Sequence, residues 1–462
     1  MNTLFRVNFS WSFYFLSLIF MRLIWFDLSW YGYIAIAITL HQFLLLFYSI
    51  GSVMPIRYLA GALMCVQMLL GPSFAYNGLD AYQTTVYQMK IPEAEYFTYL
   101  FPAMILFIAG LHITAGKLKG EVLNLTEIKI FIDKAGNIPY VFIAIGFISS
   151  IISTYFSSEL AFVFYLLSSF KFIGTFMLIL GTKQLKTWVL VLVFGSIIAS
   201  SLVEAMFHDL LTWLIMLGAV LAIKYKPANT LKTIVTVSFI GLSIVIQLVK
   251  SDYRKVAWNT GGGNLESFEN VVTNKKEDNS LFNYESIAAS NVRINQGFIV
   301  TNIMKNVPEI VPYSNGQELM QILEAAFLPR FLAPNKLNAG DRTFFMKYSG
   351  MTIKKGTSMG LSSVGDAYVN FGVIGGSIFM FFLGLLFSEV LNGFHKFSSL
   401  YPVLLLFTPM VFYYPIRPDC ELQTSLGHLV KSSFLIFLMI QIWKYKFSVK
   451  YSSKQIANKA AT

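Results

Sequence analysis

The chain has 462 residues, of which 55% are hydrophobic and only 13% charged. A soluble domain carries about 25% charged residues, so this composition, with a mean hydropathy of +0.61, excludes an ordinary soluble enzyme. Lysine and arginine total 35 against 24 acids, a formal charge of +11. The two cysteines, Cys65 and Cys420, allow neither a disulfide framework nor a cysteine-based metal site.

A membrane span needs about 20 mostly apolar residues to cross ~30 Å of hydrocarbon. Twelve such runs follow in order, at roughly 10–28, 31–50, 53–74, 97–116, 138–156, 159–181, 187–206, 208–224, 231–250, 367–391, 399–416 and 425–443. The sequence therefore predicts an all-α polytopic membrane protein of about 12 transmembrane helices. Three parts are expected: nine spans over 1–250, one large loop over 251–366, and three spans with a basic tail over 367–462. With a cytoplasmic N-terminus, the inside loops hold Arg57, Lys117, Lys119, Lys129, Lys134, Lys183, Lys186, Lys224, Lys226, Lys232 and Lys396. The short outside loops then hold only Lys90 and Arg417. That is the positive-inside bias, and it puts both termini in the cytoplasm and the large loop outside it.

The 251–366 segment carries 12 basic and 11 acidic residues. The positive excess therefore lies mostly on the cytoplasmic side, and nucleic-acid binding loses its support. Its first part, Gly261 to Asn279, reads as a mobile loop. Its second part, 284–332, has helical spacing at Ile287, Val292, Ile299 and Ile303 and again at Leu319, Ile322, Leu323 and Phe327. Two short amphipathic helices are expected there, separated by Pro308 and Pro312.

The informative polar residues are arginines on the outer side: Arg254, Arg293, Arg330 and Arg342 in the loop, with Lys336, and Arg417 after the eleventh span. A guanidinium is always charged, and its planar fork fits phosphate or carboxylate. The other reading is that these arginines hold lipid headgroups or pair with the loop's acids. Arg330 stands apart, because Pro329 and Pro334 brace it in a stiff non-helical segment ending in Lys336.

The run Arg293-Ile294-Asn295-Gln296-Gly297, followed by Pro308, Pro312 and Gly316, resembles the extracytoplasmic loop of Wzy-type oligosaccharide repeat-unit polymerases. The Pro-Arg-x-Leu-x-Pro-x-Lys pattern at 329–336 and the run from Ser363 to Gly372 are similar to that family's loop motifs. Many such proteins also carry an arginine in a small-residue turn near mid-chain, where this chain reads Glu204-Ala205-Met206-Phe207-His208-Asp209. The resemblance implies a GT-C-like glycosyltransferase in a bacterial cytoplasmic membrane, working without a metal or other cofactor. Its donor and acceptor would be polyprenyl-diphosphate-linked oligosaccharides. Its other partners would be membrane lipids and, in a synthesis complex, a chain-length regulator.

On that reading Arg293, Arg330, Arg417, Arg254 and Lys336 stabilise the departing diphosphate. The base for the acceptor hydroxyl is sought among Glu204, His208 and Asp366. Glu204 and His208 are four apart and would share a face if their helix continues. The alternative is that they cap the turn, and that Asp366 caps the tenth helix. Asp419 and Glu421 come next. A glycan ligase shares the same plan. A lipid-linked oligosaccharide flippase fits less well, since the long outer segment and the lack of internal repeats depart from two related halves with short loops.

Overall fold

The computed structural model describes residues 9–79, 85–115, 125–156, 158–181, 186–328, 332–355 and 357–443. Among these the regular elements are all helical. Helices α1 (Trp11–Ile24) and α2 (Trp30–Ser49) begin where Ser10 and Ser29 side chains accept from free first-turn N–H groups. Helices α3 (Ile56–Cys65) and α4 (Gly71–Tyr76) join through a π-turn at Val66–Leu70. Then come α5 (Glu93–Ile113), α6 (Leu125–Ala135), α7 (Ile138–Ile152), α8 (Ser158–Ser168), α9 (Phe170–Leu180), α10 (Thr187–Glu204), α11 (His208–Tyr225) and α12 (Asn229–Asn259). The polar segment folds into α13 (Leu265–Glu277), α14 (Tyr284–Ile294), α15 (Gly297–Asn306), α16 (Gln317–Phe327) and α17 (Arg342–Ser349). The chain closes with α18 (Ser362–Ser398), a 3-10 stretch Pro402–Phe407 running into α19 (Thr408–Val411), and α20 (Leu422–Ile442).

Nine helices among the described residues are long and apolar enough to cross a membrane, or ten if α6 and α7, bent by 79° at their junction, form one span. The molecule is thus a helical polytopic membrane protein, and the expected twelve spans are not all present at full length. The run at 10–28 forms only the 14-residue α1, about 21 Å at 1.5 Å per residue. The run at 399–416 is broken by Pro402 and Pro409 into a 3-10 stretch and a single α-turn, because proline cannot donate to an upstream carbonyl.

Three further expectations change. Helix α12 continues past residue 250 to Asn259, so the loop starts later. The stretch read as mobile holds α13, started by a reciprocal cap: Ser267 N–H donates to Asn264 Oδ1 (2.7 Å) and Asn264 N–H to Ser267 Oγ (3.0 Å). The glycines before it serve the entry turn, with φ of 77° at Gly261 and 151° at Gly262. The 284–332 region contains three helices rather than two, divided at Asn295-Gln296 as well as at the prolines.

Helix α18 begins at Ser362 and is interrupted at Gly372 (φ 67°, ψ −160°). Just before that break, Asn370 Oδ1 accepts from Ser314 Oγ (2.7 Å) and Leu319 N–H (2.9 Å). The motif at 363–372 therefore docks the turn between α15 and α16.

Helices α5 and α18 run parallel. The Tyr99 hydroxyl donates to the Val364 carbonyl (2.7 Å) near their starts. Further along, a Cβ on Gly110 would overlap the Phe381 carbonyl, and one on Gly384 the Phe107 carbonyl. Small residues let the backbones approach this closely, which is the usual device where lipid supplies no hydrophobic drive. Arg57, expected in a loop, is 3% exposed. It donates to the Leu111 carbonyl, to Ser388 Oγ (2.6 Å) and to Asn392 Oδ1 (3.4 Å), tying α3 to this pair.

The turns at 77–79, 85–92, 205–207 and 412–421 lie, with the described residues of 260–361, at one end of the bundle, the loop end. Asn291 Nδ2 donates to the Gly71 carbonyl (3.0 Å), Gly263 N–H to Val203 (3.2 Å), and Gly340 N–H to Glu421 Oε1 (2.6 Å).

Candidate functional site

Lys250 and Arg254 are four residues apart on α12, so both face one side of its last turns. Arg293 lies in the last turn of α14 and is exposed. After α19 the chain turns through Pro415 and Pro418 and presents Arg417, Asp419 and Glu421. These three elements converge. The charges of Arg254, Arg293, Asp419 and Arg417 all act on Lys250. Those of Arg417, Asp419, Asp209 and Lys250 act on His208. Four cations thus gather at the loop end with Asp209 and Asp419, while Glu204 feels Asp209 from the edge.

Arg417 and Asp419 form a two-point pair, Nη2 to Oδ2 at 2.9 Å and Nε to Oδ1 at 3.3 Å, with the guanidinium over the Tyr414 ring at 5.2 Å. Burial pushes the Asp419 carboxyl up, but the Arg417 guanidinium, with His208 and a backbone hydrogen bond, holds it below the usual carboxylate range. Arg254 stacks over Trp258 at 5.0 Å, and its Nε is buried without a hydrogen-bond partner. Asp252 does not neutralise the cluster. It is taken by Lys255 and Lys275, each at 2.9 Å.

The expected site residues fall as follows. Arg254, Arg293, Arg417 and His208 come together. Glu204 and His208 do not share a helix face: α10 ends at Glu204, Ala205 is left-handed (φ 53°), and α11 starts at His208. The positive φ cannot propagate a right-handed helix, so the two residues sit on different helices, either side of a turn. His208 Nε2 lies 3.4 Å from Thr212 Oγ1.

Lys336 bonds the carbonyls of Ala325 (3.3 Å) and Leu328, closing the C-terminal end of α16. Asp366 is 1% exposed. Its Oδ2 accepts the Leu422 N–H (2.8 Å) and Oδ1 has no partner. It therefore caps α20 across space rather than the helix it sits in. Arg330 lies outside the described residues. Among the described residues no group of three His, Cys, Asp or Glu side chains is placed to hold a metal ion.

Sequence reasoning passed over Lys250. Its spacing to Arg254 is visible, but the apolar run at 231–250 ends between them. Asp419 and Glu421 come last in the sequence reading because the bend that brings 417–421 to one cavity wall with Gln296 and Ile299 depends on prolines whose direction sequence does not give. Beside the cluster lies a cavity of about 380 Å³, whose wall includes Gln296, Gly340, Ser358, Arg417, Glu421 and Thr424.

Fold and site together define a polytopic helical membrane protein with a polybasic centre at one end of its bundle. The chain belongs to the family described as a domain of unknown function (DUF8712), whose sequence model matches residues 84–410. That stretch includes α5 to α18 and stops short of Arg417. No curated protein and no solved structure matches the chain.

Proposed function

We propose that this protein is a repeat-unit polymerase of the Wzy type, joining polyprenyl-diphosphate-linked oligosaccharides at the outer face of a bacterial cytoplasmic membrane. In this reading the loop end is extracytoplasmic and both termini are cytoplasmic. The bundle is a GT-C-like scaffold against which the polyprenyl tails lie. The observation that carries the reading is the convergence of Lys250, Arg254, Arg293 and Arg417 on one centre. A departing diphosphate develops negative charge, and preorganised cations stabilise it in a partly water-excluded site. Arginine forks supply donors suited to phosphate oxygens. Arg330, in its proline-braced segment, is assigned to the same task from its sequence setting. The chain would act beside a chain-length regulator.

The test is the size distribution of surface and lipid-linked glycan in cells lacking the gene, with wild-type or Arg417→Ala protein restored. A block at one exported repeat, relieved by wild type and not by the variant, supports the polymerase. Long polymer held on its lipid carrier assigns a ligase instead, and single repeats trapped on the cytoplasmic face assign a flippase. An unchanged profile rejects all three.

A further inference from the structure

Resting on the polymerase reading, we infer that the cavity beside Arg417 receives the acceptor sugar and that Glu421 is the base that takes its hydroxyl proton. The cavity is about 380 Å³, within the range of small-ligand sites, about 300–1,000 Å³. Its lining mixes Gln296, Ser358, Glu421 and Thr424 with the backbone of Gly340 and Gly360. Such a wall offers donors and acceptors to hydroxyls, with apolar patches at Ile299, Ala339 and Met359 for a sugar's C–H faces. Arg417 lines it too, so the cavity opens directly on the cationic centre. A sugar in the cavity and a diphosphate on the cations meet at that arginine.

Glu421 is built for the role. Its Oε1 accepts the Gly340 N–H (2.6 Å) and the Thr424 hydroxyl (2.9 Å). These bonds come from two different segments and fix the carboxylate plane. The other oxygen, Oε2, makes no hydrogen bond among the described residues and is left for the ligand. The bond to Thr424 also sets Glu421 rigidly at the start of α20. Burial holds the Glu421 carboxyl above its usual range against both hydrogen bonds, and Asp341 adds to the rise. The other titratable or charged groups around it are Asp366, Arg417, Asp419 and Cys420.

The step balances. The acceptor oxygen bonds to the donor's anomeric carbon as that carbon's bond to the diphosphate oxygen breaks. The bonding pair leaves on polyprenyl diphosphate, against the cations. The hydroxyl proton passes to Glu421 Oε2 and then to water.

The experiment uses membranes containing the full chain and a purified lipid-linked repeat unit, with the initial rate of polymer formation read on a gel. Glu421→Gln keeps the Oε1 acceptor for Gly340 and Thr424, so folding is preserved while proton uptake is lost. The expected rate loss is about 10²-fold or more, at unchanged KM for the repeat unit, with partial recovery in Glu421→Asp. Wild-type rates should also fall as pH drops through a midpoint above the free glutamate value of about 4.3. A Glu421→Gln protein that polymerises at the wild-type rate overturns the assignment while leaving the polymerase intact. If that variant fails to accumulate, a wild-type rate that stays flat from about pH 8 down to about pH 4.3 overturns it instead. Wild-type membranes that make no polymer overturn the polymerase reading, and this inference with it.

Discussion

Replacing Asp366 separates a capping role from a chemical one. The side chain is 1% exposed and its Oδ2 accepts the first N–H of α20, at Leu422, over 2.8 Å. Asp366→Ala leaves that N–H buried and unsatisfied, which costs about 1–3 kcal/mol. That equals a shift of roughly 5- to 150-fold in the folding equilibrium, at 1.4 kcal/mol per decade. Asp366→Asn keeps an oxygen for Leu422 and exchanges the partnerless Oδ1 for an amide nitrogen. The expected order of thermal stability in detergent is wild type, then Asn close behind, then Ala well below. Polymer formation should follow stability: near wild type for Asn, reduced for Ala in proportion to folded protein. An Asn variant that is fully stable yet makes no polymer would refute this, and would return Asp366 to the list of bases.

Arg417→Ala should cut polymer formation by about 10²-fold, the usual cost of removing one charge-stabilising donor, at equal protein level; a wild-type initial rate would take Arg417 out of the centre. Arg330→Ala should abolish polymer while the protein stays folded and inserted, checked by a glycan ladder beside an immunoblot; normal chain lengths would remove Arg330 from the site. Gly384→Val forces side-chain atoms against the Phe107 carbonyl and should destabilise by about 1–3 kcal/mol, read as a lower melting temperature and membrane yield.

The bundle was legible because its signal is redundant. Each span repeats the same demand for apolar length, and a residue more or less at either end changes nothing. Loop structure was less legible because it turns on single contacts. The Asn264–Ser267 cap is a two-residue event that outweighs three glycines beside it. The site was half legible. Arginine identity announced anion chemistry, and Arg254, Arg293 and Arg417 do meet. The Glu204–His208 spacing failed as a helix-face argument because one residue, Ala205, takes a left-handed conformation. Asp366 and Glu421 lie 55 positions apart in the chain yet both act at the start of α20, a relation carried by tertiary packing alone.

The buried Arg57 bears on how the chain is made. Its guanidinium on α3 reaches partners 54, 331 and 335 residues further along, at Leu111, Ser388 and Asn392. A charge facing hydrocarbon without partners is expensive. The early helices therefore reach their final packing only after their own insertion, since two of those partners lie on α18. A chain halted before residue 388 would lack two of the acceptors that hold this guanidinium. The arrival of α18 is thus what completes the seat of α3.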